Sequence, residues 1–247
     1  MKVIDTYPAI SAVYEGTAFR FEKWKSYIDS TLPGASSLFV SVALQVFGEN
    51  GGDRFREIAH TEAGAPLLEE SGQRISVSHT QHFMVVAMLP RTPETDPEGF
   101  SLRTAMGIDC ERLDRSQVLK VADRVMSPEE LVLVGSYAAG LEAGDAHHKP
   151  IPGEQAQVMA NVLAWTVKEA LYKAALTPGL DFRTNLLIES LPEICGNPLV
   201  RNPRYGKAVM RLGGELGDVE MDLFSYLSEE HIVTLAYSPK CAKFKRL

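Results

Sequence analysis

The chain is poor in cysteine and has no long apolar run. Its three cysteines (Cys110, Cys195 and Cys241) are an odd number without metal-ligand spacing. That pattern indicates neither a disulfide framework nor a zinc site, and reduced thiols in a cytosol are the simple reading. The longest mostly apolar stretch, Ser37 to Phe47, is too short to cross a bilayer and carries Ser and Gln. Met1-Lys2-Val3-Ile4-Asp5 gives way quickly to polar residues, so no leader sequence is expected. Basic charge is in deficit: 25 Lys and Arg stand against 32 Asp and Glu, a formal charge of −7. General nucleic-acid binding is thereby disfavoured, and an acidic partner would need a local basic patch. No Walker-type loop, kinase glycine-rich loop or nucleophile elbow occurs.

What remains is ordinary for a soluble protein, with 45% apolar and 23% charged residues. The length allows one large domain or two small ones. Residues 21–29 and 35–48 read as helices, the second apolar nearly all round and therefore buried. Gly48 to Asp53 is a loop, 56–62 is extended, and Gly64-Ala65-Pro66 is a turn. Arg74 to Ser78 and Phe83 to Leu89 read as two strands. Pro90 to Gly99 is the clearest breaker stretch. A strand follows from Met106 to Glu111, and Asp114 can cap a helix over 115–125. Ser127-Pro128-Glu129-Glu130 is a helix start with a cap serine, proline first and glutamate third. A long helix spans about Gly153 to Leu176, and strands are expected at 184–189, 206–212, 218–224 and 231–238.

Two segments echo each other: Ser78 to Ala87, and Leu227 to Ala236. His82 and His231 each open a strand of matched apolar spacing, and in each half a helix precedes the hairpin. Either two hairpins merely look alike, or the chain is an α+β pseudo-two-fold pair of similar lobes with the active site in the cleft between them. The division would fall at 1–103, including a linker over about 90–103, and 104–247.

The chemistry-bearing residues cluster in three segments. Asp109 and Glu111, at i and i+2 of Gly107-Ile108-Asp109-Cys110-Glu111, share one face of a strand. Alternating acids are usually an exposed outer face, but these sit in an apolar segment, where buried carboxylates need partners such as a cation. On the long helix, Trp165, Glu169, Tyr172 and Lys173 share a face. Glu169 and Lys173 alone could be a common surface i, i+4 pair. Lys168 points about 100° away, toward either a phosphate oxygen or an acidic partner. Ser76-Val77-Ser78-His79-Thr80 ends a strand in hydroxyls and an imidazole, which suit either a phosphate or ordinary turn chemistry. Asp145-Ala146-His147-His148 resembles a metal cluster by composition alone, and Lys240 to Arg246 is a basic tail. Three hard oxygen donors on two rigid elements can hold Mg²⁺, and a nearby lysine can meet a phosphate.

In this order, the Ser76–Thr80, Gly107–Glu111 and Trp165–Lys173 segments resemble the signature blocks of the 4′-phosphopantetheinyl transferases. Length and doubling resemble the Sfp-type branch, in which one monomeric chain carries both lobes. The resemblance covers most of 35–240. It implies transfer of the phosphopantetheine arm of coenzyme A to a serine of an apo acyl or peptidyl carrier protein, with adenosine 3′,5′-bisphosphate as the other product. Asp109, Glu111 and Glu169 would hold Mg²⁺ against the diphosphate. Ser78, His79, Lys168 and Lys173 would bind coenzyme A, with His79 and Lys173 on phosphate oxygens and Lys168 setting charge around Glu169. Glu169, directly or through a metal-bound water, would be the base for the serine hydroxyl, with Lys173 and His79 assisting. A cytoplasmic enzyme with no nucleic-acid or membrane partner is expected.

Two departures from that branch stand out. Ala65 replaces the family's lysine for the 3′-phosphate, leaving Lys25, Arg54 and Arg56 as candidates. The 90–103 linker is longer than usual. Cys110, the middle residue of the acidic motif, is expected to face the core. The 115–125 helix offers Arg115, Lys120 and Arg124 as a dock for an acidic carrier. Two rivals are a non-catalytic coenzyme A or nucleotide binder on the same scaffold, and a different Mg²⁺-dependent phosphotransferase.

Overall fold

The structure is a computed structural model. It describes residues 2–4, 12–17, 58–60, 66–68, 73–80, 83–88, 105–144, 149–195, 205–214, 217–228 and 230–238. The expected helices at 21–29 and 35–48, the loop at 48–53, the linker at 90–103, His82, the Asp145–His148 cluster and the basic tail lie outside these residues. So do Lys25, Arg54, Arg56 and Ala65.

The fold is α+β. Among the described residues, strands β1 (Lys2–Ile4), β2 (Ala12–Thr17), β3 (Ile58–His60), β4 (Pro66–Leu68), β5 (Gln73–His79) and β6 (Phe83–Met88) form one sheet, in the order β1-β2-β6-β5-β4-β3. The second sheet contains β7 (Ala105–Arg112), β8 (Leu186–Ser190), β9 (Ile194–Cys195), β10 (Gly206–Arg211), β11 (Asp218–Ser228) and β12 (His231–Ser238). Its order is β7-β12-β11-β10-β8, with β9 running parallel to β11. The helices are α1 (Ala122–Val125), α2 (Pro128–Ala143) and α3 (Gly153–Ala175). No helix among the described residues is long and apolar enough to cross a membrane.

Period-two alternation along β7 builds two cores among the described residues. Met106, Ile108 and Cys110 pack with Val85 and Ala87 of β6 and with Val233, Leu235 and Tyr237 of β12. The opposite face lies under α3, whose Ala160, Ala164, Val167, Ala170, Leu171 and Ala174 fill the larger core. Gly107 marks how closely strand and helix approach: a Cβ there would stand 2.0 Å from the Ala170 carbonyl oxygen and 2.7 Å from the Ala174 nitrogen. Only glycine fits this contact. Farther along α3, the Thr166 hydroxyl meets Thr234 of β12 at 2.7 Å, and Thr234 meets Ser225 of β11 at 2.8 Å. This buried chain of hydroxyls satisfies its own polar atoms.

β7 is the edge of its sheet, and its outward N–H groups would otherwise be orphaned. Serines of β5 meet them. The Ile108 N–H donates to the Ser76 hydroxyl oxygen at 2.9 Å, and the Cys110 N–H donates to that of Ser78 at 3.2 Å. The two sheets therefore meet along a seam of side-chain hydrogen bonds.

The expected start of α2 is present as a capping box. The Glu130 N–H donates to the Ser127 hydroxyl at 3.3 Å, and the Ser127 N–H donates to Glu130 Oε2 at 2.7 Å. The expected helix over 115–125 is instead a 3-10 turn, Ser116–Lys120, followed by the single turn α1. Asp114 does not cap it, because Arg112 holds its carboxylate through bonds of 2.9 and 2.8 Å. β8 begins two residues later than the pattern suggests, since Thr184 donates to the Asp181 carboxylate through both its N–H and its hydroxyl, keeping that residue in a turn. The β5–β6 and β11–β12 hairpins are both present, and His231 opens β12. The helix that would complete the echo in the first half lies among the residues not described.

Candidate active site

A cavity of about 400 Å³ opens where β5, β7 and α3 converge. Its lining includes Ser78 and His79 from β5, Asp109 and Glu111 from β7, and Trp165, Glu169 and Lys173 from α3. Arg115, just beyond β7, completes the wall. Alternation along β7 puts both acids on the face that Gly107 presents to α3, and helical spacing brings Glu169 and Lys173 to the same place.

Asp109 is the centre of the site and is buried, at 4% exposure. Its Oδ1 accepts from the Ser78 hydroxyl at 2.7 Å and from the Lys173 amino group at 2.7 Å. Lys173 also donates to the Ile108 carbonyl at 3.1 Å. The second oxygen, Oδ2, is buried without a hydrogen-bond partner. An ionised carboxylate with one oxygen bare and dry is costly, and a cation is the natural remedy. Glu111 is paired with Arg115, whose guanidinium also lies 5.8 Å from the centroid of the Trp165 ring. The Trp165 indole N–H is likewise buried without a partner. Glu169 has its pKa raised, first by burial and then by the negative charge of Asp109, against the opposing pull of Lys173 and Arg115.

Among the described residues, no three Asp, Glu, His or Cys side chains are arranged to hold a metal ion. Lys173 and Arg115 instead take up the carboxylates of Asp109 and Glu111. The donor chemistry nevertheless suits a hard divalent cation. All three acids line one cavity, one of their oxygens is orphaned, and three carboxylates against Lys173 and Arg115 leave one negative charge in excess.

The expected residues divide as follows. Asp109, Glu111, Glu169, Lys173, His79 and Ser78 are brought together. The Ser78 hydroxyl, read from sequence as a phosphate donor, donates to Asp109 and accepts from β7, so it orients the acid. Lys168 is not brought to the cavity. It is fully buried, and its ammonium donates to Glu130 Oε1 and Oε2 at 2.6 and 2.8 Å, to the Phe182 carbonyl at 2.8 Å and to the Leu186 carbonyl. The reason is the rotation of about 100° between successive helical residues. It turns Glu169 to the cavity and Lys168 to the opposite junction with α2 and β8. Cys110 faces the core as expected, and burial pushes its thiol up to about 12. Of the three residues expected to form a carrier dock, Arg115 lines the cavity and Lys120 and Arg124 are exposed.

Sequence reasoning did not find the Glu130–Lys168 pair or the Arg115–Trp165 contact. A capping glutamate gives no sign of a second partner across the fold. Arg115 was weighed only as part of a helix that does not form. Comparison with known proteins gives one family match: residues 105–215 fit the 4′-phosphopantetheinyl transferase superfamily. The match covers a little under half of the chain. No curated protein matches it.

Proposed function

We propose that the chain moves the phosphopantetheine arm of coenzyme A onto a serine of an apo carrier protein, a reading supported by the match of residues 105–215 to the 4′-phosphopantetheinyl transferase superfamily. The observation that carries this reading is the convergence of Asp109, Glu111, Glu169 and Lys173 on one cavity with His79 at its wall. Asp109, Glu111 and Glu169 would hold Mg²⁺, which would supply neutralising charge for a diphosphate.

The chain's own groups account for the remaining needs of the reaction. Phosphoryl-type transfer requires in-line placement and compensated charge more than a covalent nucleophile. Glu169 is the candidate proton acceptor for the carrier serine. It lines the cavity beside Asp109 and Lys173. Lys173 is anchored at Asp109 and the Ile108 carbonyl. There it stabilises negative charge growing on the departing phosphate. His79, on the exposed end of β5, can donate to phosphate oxygens. Ser78 holds Asp109 by Oδ1, while Oδ2 keeps no hydrogen-bond partner and is the oxygen left over for a cation.

The test is mass spectrometry of a carrier protein. Purified chain, coenzyme A and Mg²⁺ are incubated with an apo acyl carrier and, separately, an apo peptidyl carrier. A phosphopantetheine mass gain on the serine is expected. Coenzyme A binding with no gain on either carrier would favour the non-catalytic binder instead.

A further inference from the structure

Arg115 is a cavity residue to which the transfer reading gives no task. Its backbone follows β7 closely, and the side chain returns to the wall that Glu111, Trp165 and Glu169 also form. One guanidinium nitrogen pairs with Glu111, and the guanidinium carbon lies 5.8 Å from the Trp165 ring centroid. Exposure is 41% for the arginine side chain and 13% for the glutamate. This cation is thus held at two points, by a carboxylate and by an aromatic face.

These two holds differ in what competes with them. A divalent cation bound by Asp109, Glu111 and Glu169 would compete with Arg115 for the Glu111 carboxylate, which Arg115 holds by one oxygen. It would not compete for the ring of Trp165, which would keep the released guanidinium near the cavity. Charge balance then changes sign. Three carboxylates against Arg115 and Lys173 give one net negative charge, and a divalent ion makes it one net positive. A phosphate group is then the fitting ligand, and a planar guanidinium with freed donors is suited to bind it.

We propose that Arg115 is an exchangeable counterion: it neutralises Glu111 until a divalent cation binds, and then turns its guanidinium to phosphate oxygens of the substrate. The proposal rests on the transferase reading of the cavity. It makes cation and phosphate ligand bind cooperatively, because each favours the displaced position of Arg115.

The experiment measures binding on the full-length chain without turnover. Mn²⁺ alone is titrated and followed by electron paramagnetic resonance. Inorganic pyrophosphate is then titrated at saturating Mn²⁺ by calorimetry. In Arg115→Met, Mn²⁺ should bind about five- to tenfold more tightly, since its competitor is gone. Pyrophosphate should bind more weakly by a similar factor. Arg115→Lys keeps the charge but not the planar fork. It should leave Mn²⁺ affinity near that of the unaltered chain while still weakening pyrophosphate. Opposite shifts for the two ligands in Arg115→Met support the proposal. Unchanged or weaker Mn²⁺ binding in that variant overturns it. Asp109→Asn separates the two levels of inference. If Mn²⁺ binds this variant as well as the unaltered chain, the cation-site reading itself is wrong and the proposal goes with it.

Discussion

Replacing Gly107 by alanine tests whether the spacing between β7 and α3 sets the site. The added Cβ would lie 2.0 Å from the Ala170 carbonyl oxygen, whereas ordinary contact begins at 3.4 Å, so strand and helix must part by about 1.4 Å. The obstructing atoms are backbone on the helix side and cannot swing away like a flexible side chain. Overpacking a well-filled site costs about 1–3 kcal/mol, and a backbone obstacle puts this site at the upper end. Loss of glycine's freedom in the unfolded chain offsets roughly 0.4–1 kcal/mol. A net loss of about 2 kcal/mol should appear as a lower urea midpoint with an unchanged slope. Most molecules would still be folded, yet Asp109 would have shifted relative to Glu169 and Lys173. Misplacement of about 1 Å can cost on the order of a hundredfold in rate. Carrier loading should therefore fall far more than the folded fraction does. A variant with unaltered stability refutes the close approach, and a destabilised variant with full activity refutes its link to the site.

Asp109→Asn or Glu169→Gln should abolish carrier loading with only a modest change in the thermal midpoint, and full activity in either contradicts the metal assignment. Glu130→Leu should destabilise by about 3–5 kcal/mol, because it leaves Lys168 buried without its counter-charge. Lys168→Met in the same chain should recover part of that loss, and a double variant no more stable than Glu130→Leu alone in urea would refute the coupling. Burial, and secondarily the charge of Asp222, push the Tyr237 phenol up from 10.0 to about 12. The folded state therefore favours its neutral form. Stability from this group is complete below pH 10 and declines as pH rises toward 12, by about 1.4 kcal/mol per pH unit. Tyr237→Phe should flatten that decline in denaturation curves taken across the interval; an unchanged slope would refute the assignment.

The parts of the site that could be read from sequence were those set by local periodicity. Alternation put Asp109 and Glu111 on one face and Cys110 on the other, and a helix repeat joined Glu169 to Lys173. The α2 start was legible for the same reason, since a capping box is closed within four residues. What could not be read depended on distant partners. Lys168 has the same local surroundings as Glu169, and only the arrival of Glu130 and the Leu186 carbonyl tells which lies in the core. Ser78 suited a phosphate equally well until the unpaired edge of β7 was placed beside it. The place of Arg115 on the cavity wall was not legible because a continuous helix was expected where Arg112 holds the Asp114 carboxylate and a 3-10 turn follows.

The seam between the sheets bears on where the active unit ends. The family match begins at residue 105, at the start of β7, and stops at 215. Yet β7 is paired over its whole length with β12 at 231–238, and its other edge donates to Ser76 and Ser78 of β5. Both neighbours lie outside the matched stretch. So do Ser78, which holds Asp109, and His79 on the cavity wall. The carboxylates come from the matched segment, while their orientation depends on strands contributed by either end of the chain. A cavity assembled across such a seam ties the chemistry to the joining of the sheets. Asp109 keeps the Ser78 hydroxyl that holds its Oδ1 only while β5 occupies the flank of β7 that backbone pairing leaves vacant.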